Sequence, residues 1–132
     1  MRKRAPVAAA LLALAGCAAA PPAAEAPFPA DGSDWVLSSL RGAPGLRASL
    51  SFKGDRIAGA GPCNQFIGDL ARPGGGLALG PIAATRRACP EMAEEESYFS
   101  ALTDAARAVE RDGALILADA DGAELMRFKP GL

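Results

Sequence analysis

LRASLSFKGDRIAGAGPCNQFIG, residues 46 to 68, alternates and then breaks. Leu46, Ala48, Leu50 and Phe52 share one side of the pattern, and Arg47, Ser49, Ser51 and Lys53 share the other. A period of two marks a half-buried strand, because successive side chains leave a pleated backbone on opposite faces. Gly54 and Asp55 follow as a tight turn and Arg56 to Ala60 returns, so the stretch predicts a hairpin. GAGPC, at 59 to 63, interrupts the pattern; its glycines permit unusual backbone angles or a bulge. Asn64 to Leu70 predicts a further strand with Phe66 inward, and Gly68 lets another element pack closely.

Working outward, DWVLSSL at 34 to 40 predicts a first strand with the only tryptophan, Trp35, as a core anchor. RPGGG at 72 to 76 is an exposed turn, and Leu77 to Ala84 is another apolar segment. Pro90 suits the first turn of a helix, where a missing N–H costs nothing. Glu91, Glu94, Glu95 and Glu96 follow, where negative charge favours the helix dipole; EEE at 94 to 96 is expected to be a solvated face. Met92, Phe99, Leu102, Ala106 and Val109 form a stripe at helical spacing, read as core, and Gly113 is the expected stop. ALILA at 114 to 118, DADG at 119 to 122 and AELMRFK at 123 to 129 predict a closing hairpin. DADG lacks the remaining ligands of a calcium loop and reads as a turn. Five or so strands, one helix and two strands predict an α+β fold. Its form is a strongly curved antiparallel sheet, or an incomplete β-barrel, with one α-helix over the open side.

The N-terminus decides the chemistry of the sulfurs. Arg2, Lys3 and Arg4 precede an apolar run from Ala5 to Gly16, shorter than the roughly 20 residues a membrane span needs. LAGC at 14 to 17 resembles the lipobox of bacterial lipoproteins. That resemblance implies a signal peptide over residues 1–16, cleavage before Cys17, and diacylglycerol and acyl chains on Cys17. One chain anchors only marginally, whereas two or more hold stably. An ordinary signal peptide cut a few residues later is the alternative. In enteric lipoproteins a non-aspartate after the cysteine, here Ala18, goes with outer-membrane delivery. The expected location is therefore the bacterial envelope, lipid-anchored, on the outer membrane facing the periplasm. Residues 17–30, rich in alanine and proline, read as a tether, and residues 31–132 as one domain.

With Cys17 lipidated, Cys63 and Cys89 remain of three cysteines. An oxidising compartment favours a disulfide between them; two separate buried thiols are the alternative. No CxxC is present, and a chain without histidine has no Cys–His catalytic pair. Two cysteines and carboxylates fit the usual zinc sets poorly, so no metal or other cofactor is expected. Removing residues 1–16, with three basic residues and no acidic one, leaves 11 basic against 15 acidic, a net charge of −4. That argues against nucleic acid as a partner and leaves membrane contact to the anchor.

The body resembles the META domain, or HslJ-like, family of bacterial envelope proteins over most of residues 34 to 129. The resemblance rests on Trp35 and Leu37, the glycine-rich approach to Cys63 and Asn64, Phe66 and Gly68. It continues with Thr85 and Arg86, the ACP run at 88 to 90, and glutamates before Tyr98, Phe99 and Leu102. Pro62 and Arg87 depart from the family pattern, where glycine and an apolar residue are usual. The resemblance implies an incomplete barrel closed by one helix, envelope localisation and association with stress or drug tolerance. It supplies no catalytic residues.

A non-enzymatic envelope lipoprotein is expected, binding an envelope protein or a small hydrophobic or peptide-like ligand through its open barrel or sheet edge. A pilot-like assembly factor is a special case. The alternative is an envelope hydrolase using carboxylates, but the chain has no histidine, no GxSxG and no SxxK. Cys63 is expected to staple the glycine-rich turn to the helix start at Cys89, with Asn64 bridging backbone groups. Asn64, Gln65, Gly68, Thr85, Arg86 and Pro90 form the motif of interest, structural or lining a small site with Arg87.

Overall fold

The computed structural model of the chain describes Gly16, Cys17 and residues 28–131. The expected signal segment before Gly16 and the expected tether over 18–27 lie outside the described residues. Nine strands and one helix follow in order: β1 (Asp34–Leu40), β2 (Ala43–Pro44), β3 (Ser49–Lys53), β4 (Arg56–Ala60), β5 (Gln65–Ala71), β6 (Ala78–Ala84), α1 (Met92–Asp104), β7 (Arg107–Arg111), β8 (Ala114–Ala118) and β9 (Glu124–Pro130). They make one antiparallel sheet ordered β6-β5-β4-β3-β1-β9-β8-β7, with β2 paired to β1. The fold is α+β, a curled sheet forming an incomplete barrel with α1 packed with it, as the sequence predicts.

The alternation of β3 has its expected effect. Leu50 and Phe52 are fully buried while Lys53 is exposed. β5 alternates without a break, burying Phe66, Gly68 and Leu70. Trp35 and Leu37 of β1, Leu115 and Leu117 of β8, and Met126 and Phe128 of β9 complete the barrel interior. Each such side chain contributes about 1.5–3 kcal/mol through burial. Phe28 and Pro29, placed in the tether by sequence, pack onto this body. Pro29 is fully buried, and Phe28 meets Phe52 edge to face at 5.5 Å while Arg72 lies 3.6 Å over the Phe28 ring.

Three expectations are corrected. The helix stops at Asp104, and Arg107–Arg111 is a strand rather than a helical end. Ala105 turns extended and the Ala106 N–H donates to the Ala118 carbonyl, so pairing with β8 overrides the helical period that Ala106 and Val109 continue. Gly113 is therefore not a helix stop. Asp112 and Gly113 both have positive φ (51° and 74°) and join β7 to β8 in a two-residue hairpin. The count becomes six strands, helix, three strands. DADG is a turn, with Asp119 Oδ1 accepting the N–H groups of Asp121 and Ala123.

The two ends of the sheet meet at one point. The Leu77 N–H, just before β6, donates to the Ala106 carbonyl, just before β7. Helix α1 buries Tyr98, Ala101 and Leu102 against the core, and its contacts run along β6. The outer edge of β6 and the N-terminal half of α1 therefore stand side by side.

Candidate functional site

The site grows from the break in the alternation. Gly59 and Gly61 do not have positive φ, so the unusual backbone angles that the 59–63 glycines would permit are absent there, while Gly68 serves close packing as its sequence position predicts. Their need is space. A Cβ on Gly59 would fall on the Ser49 carbonyl oxygen, and one on Gly61 would stand 2.7 Å from Glu95 Oε2. On Gly68 it would meet Ile82 at 2.8 Å. Gly61 thus opens the way for a carboxylate to enter the turn.

That carboxylate belongs to Glu95, which sequence placed on a solvated face; it is 3 % exposed. Its position is three residues before Tyr98 and seven before Leu102, on the inner stripe of α1, which is the signal that could have revealed it. Glu95 Oε2 accepts the N–H groups of Cys63 (2.8 Å) and Asn64 (2.7 Å), and Oε1 accepts Asn64 Nδ2–H. A buried charge is tolerated when hydrogen bonds replace its water, and three do so here.

Asn64 completes the network and is 4 % exposed. Its Nδ2 also donates to the Arg87 carbonyl (3.1 Å), and its Oδ1 accepts from Thr85 Oγ1 (2.9 Å) and the Arg87 N–H (2.6 Å). Both side-chain donors and both acceptor sites are then used. The Asn64 carbonyl accepts the Gly61 N–H, closing the turn. Cys63 and Cys89, 26 positions apart in sequence, form a disulfide with Cα atoms 5.8 Å apart. Glu91 lies beside these sulfurs, but a disulfide has no thiolate to offer a cation. Cys17 is free and exposed.

Beside this network runs an open groove of about 940 Å³ between β6, the 85–88 segment and α1. Ile82, Ala84, Met92 and Phe99 give it apolar walls, so Met92, placed in the core by its helical spacing, is instead exposed on the groove; Arg86 and Arg87 stand on the strand-side lip, and Glu96 on the helix. Of the motif residues, Asn64, Thr85, Arg86 and Arg87 come together here. Gln65 lines instead a shallow depression with Ile67 and Ala83, Gly68 is buried within β5, and Pro90 precedes α1, exposed and outside the groove. Arg87, which stands where an apolar residue is usual in the family pattern, is exposed. Tyr98 is buried, donates its hydroxyl to the Ser49 carbonyl (3.0 Å), and has its phenol pKa pushed up by that burial.

Comparison with solved structures returns three matches to the fold. An NMR structure of a protein from Burkholderia xenovorans is 23 % identical, with a TM-score of 0.61 over 86 % of this chain and 96 % of that one. A second NMR structure is 27 % identical, with a TM-score of 0.59 over 75 % and 89 %. A crystal structure of a DUF4847 family protein from Bacteroides vulgatus is 12 % identical, with a TM-score of 0.58 over 74 % and 92 %. Comparison with curated proteins gives no match. The family profile described as META domain matches residues 29–131, and on that evidence the chain belongs to the META domain family.

Proposed function

We propose that this protein is a lipid-anchored component of the bacterial envelope, on the outer membrane facing the periplasm. Its META domain binds a partner protein or small ligand, without catalysis, in a stress or drug-tolerance role. The groove between β6 and α1 is the binding site. The observation that carries this reading is the saturation of its polar floor. Asn64 has no free donor or acceptor, and the Glu95 carboxylate already holds three donors. A buried carboxylate so engaged is poorly placed to shuttle protons, which weighs against the hydrolase reading. The groove keeps apolar walls and an exposed basic lip, the composition of a binding surface. Among the described residues, no helix is long and apolar enough to cross a membrane; attachment in this reading is through Cys17.

A photo-crosslinking residue at Met92, in the groove and 45 % exposed, tests the reading in intact envelopes, with Lys53 at an exposed hairpin tip as control. A discrete adduct from position 92 and none from 53 is expected. Absence of any adduct specific to position 92 overturns the reading.

A further inference from the structure

Resting on the proposal that the groove binds a ligand, we infer that its ligand is an extended peptide segment bearing a carboxylate, added as a strand to the outer edge of β6.

The backbone argument comes first. Phe66 pairs with Ala84, Ile67 with Ala83 and Gly68 with Ile82, without interruption. The Thr85 N–H donates to the Gln65 carbonyl, so Thr85 faces β5. Strand polar groups alternate sides, which turns Ala83 toward β5 as well and sends the N–H and C=O of Ile82 and Ala84 outward, to the groove. Among the described residues, no hydrogen bond from α1 or the 85–91 connection reaches them. A backbone edge left open beside a walled groove is what strand addition uses, with main-chain hydrogen bonds giving affinity and side-chain pockets giving selectivity.

The edge is also unguarded. Terminal strands are commonly protected by charge, proline or a bulge. β7, the other end of the sheet, carries Arg107, Glu110 and Arg111. β6 has its protection only in its first half. Gly68 pairs with Ile82 and Leu70 with Leu79, so Gly80 and Pro81 together oppose Asp69 in a bulge. Ile82, Ala83 and Ala84 carry none of these devices.

Charge selects the occupant. Arg86 and Arg87 are exposed on the lip directly after the open edge, and neither belongs to the two ion pairs found among the described residues, Arg41–Asp104 and Arg127–Glu124. Glu96 stands on the helical wall opposite and does not pair with them. A strand lying along Ile82–Ala84 would put an apolar side chain against Phe99 and Met92. A carboxylate a few residues on would then meet two guanidinium groups, whose fork geometry suits it.

The test uses the full chain in non-ionic detergent and three synthetic seven-residue peptides: alternating valine and glutamate, the lysine-for-glutamate counterpart, and the acidic peptide N-methylated at alternate amides. The acidic peptide is expected to bind, moving the amide resonances of Ile82 and Ala84. The lysine and N-methylated peptides are expected to bind at least tenfold more weakly, and R86Q/R87Q to weaken the acidic peptide about tenfold. No binding of the acidic peptide, equal binding of either control, or shifts confined to another surface overturns the inference. Concentration-dependent dimerisation that moves the same amides does so too, since a second copy would then be the occupant. A lipid or other non-peptide adduct at position 92 would sink this inference and leave the binding proposal standing.

Discussion

Asn64 and Glu95 are joined by two hydrogen bonds across 31 positions of sequence, one from the Asn64 main-chain N–H and one from its side-chain amide. The first lies in the turn that breaks the strand pattern, the second on the inner face of the helix. Because Asn64 also bonds Thr85 and Arg87, the Asn64–Glu95 contact ties the N-terminal half of α1 to the segment after β6, two of the groove's walls.

Glu95→Ala removes the acceptor for three donors, two of them buried, in Asn64, and one partly buried, the Cys63 N–H. A loss of about 2–4 kcal/mol is expected in urea unfolding, and Glu95→Gln, which keeps the shape and one oxygen, should lose about 1–2 kcal/mol. Equal stability of the alanine variant and the parent would show the network to be without consequence.

Gly61→Ala drives a methyl against Glu95 Oε2, with an expected cost of about 1–3 kcal/mol. Because the clash is with that oxygen, the cost should shrink in the Glu95→Ala background. A double-mutant cycle measures this directly, and strict additivity would place the strain elsewhere.

The disulfide closes a loop of 26 residues, for which the chain-entropy relation gives about 3–4 kcal/mol as an upper figure. Changing both Cys63 and Cys89 to serine should lower stability by up to that amount while leaving the Asn64–Glu95 contact in place. Collapse of that contact in the nuclear Overhauser pattern of the double variant would mean that the bridge, not the carboxylate, holds the turn.

Tyr98 is the only tyrosine, so tyrosinate absorbance reports it alone. Burial raises its pKa above the ordinary value of 10.0. The folded state therefore holds the proton more tightly than the unfolded chain, and stability is intact below pH 10 and falls as pH rises beyond it. The slope approaches about 1.4 kcal/mol per pH unit. The phenol should ionise only as the domain unfolds, and Tyr98→Phe should remove the alkaline slope at a cost of about 1 kcal/mol from the lost hydrogen bond to Ser49. Ionisation near pH 10 in a still-folded domain would contradict its burial.

The strands around the opening stretch were legible because burial on one side writes a period of two into β3 and β5. The end of the helix was not. Ala106 and Val109 keep the helical spacing of Phe99 and Leu102, and only pairing with β8, a contact distant from helix propensity, pulls them into a strand. The Asp112-Gly113 pair between apolar runs was the local clue to that hairpin. Glu95 was missed for a different reason. Composition makes three consecutive glutamates look solvated, and it took helical phase, three residues before Tyr98, to single out the middle one. The groove itself depends on the meeting of β6 with α1, a relation that neither segment carries alone.

Amide hydrogen exchange at Cys63 and Asn64 tests most directly whether a buried carboxylate fixes the glycine-rich turn. Both N–H groups donate to Glu95 Oε2, although their segment lies between strands, where loop amides ordinarily exchange fast. Protection close to that of the β3 and β5 core amides, lost in Glu95→Ala, is the expected result. Exchange as rapid as that of the exposed 72–75 turn would contradict it.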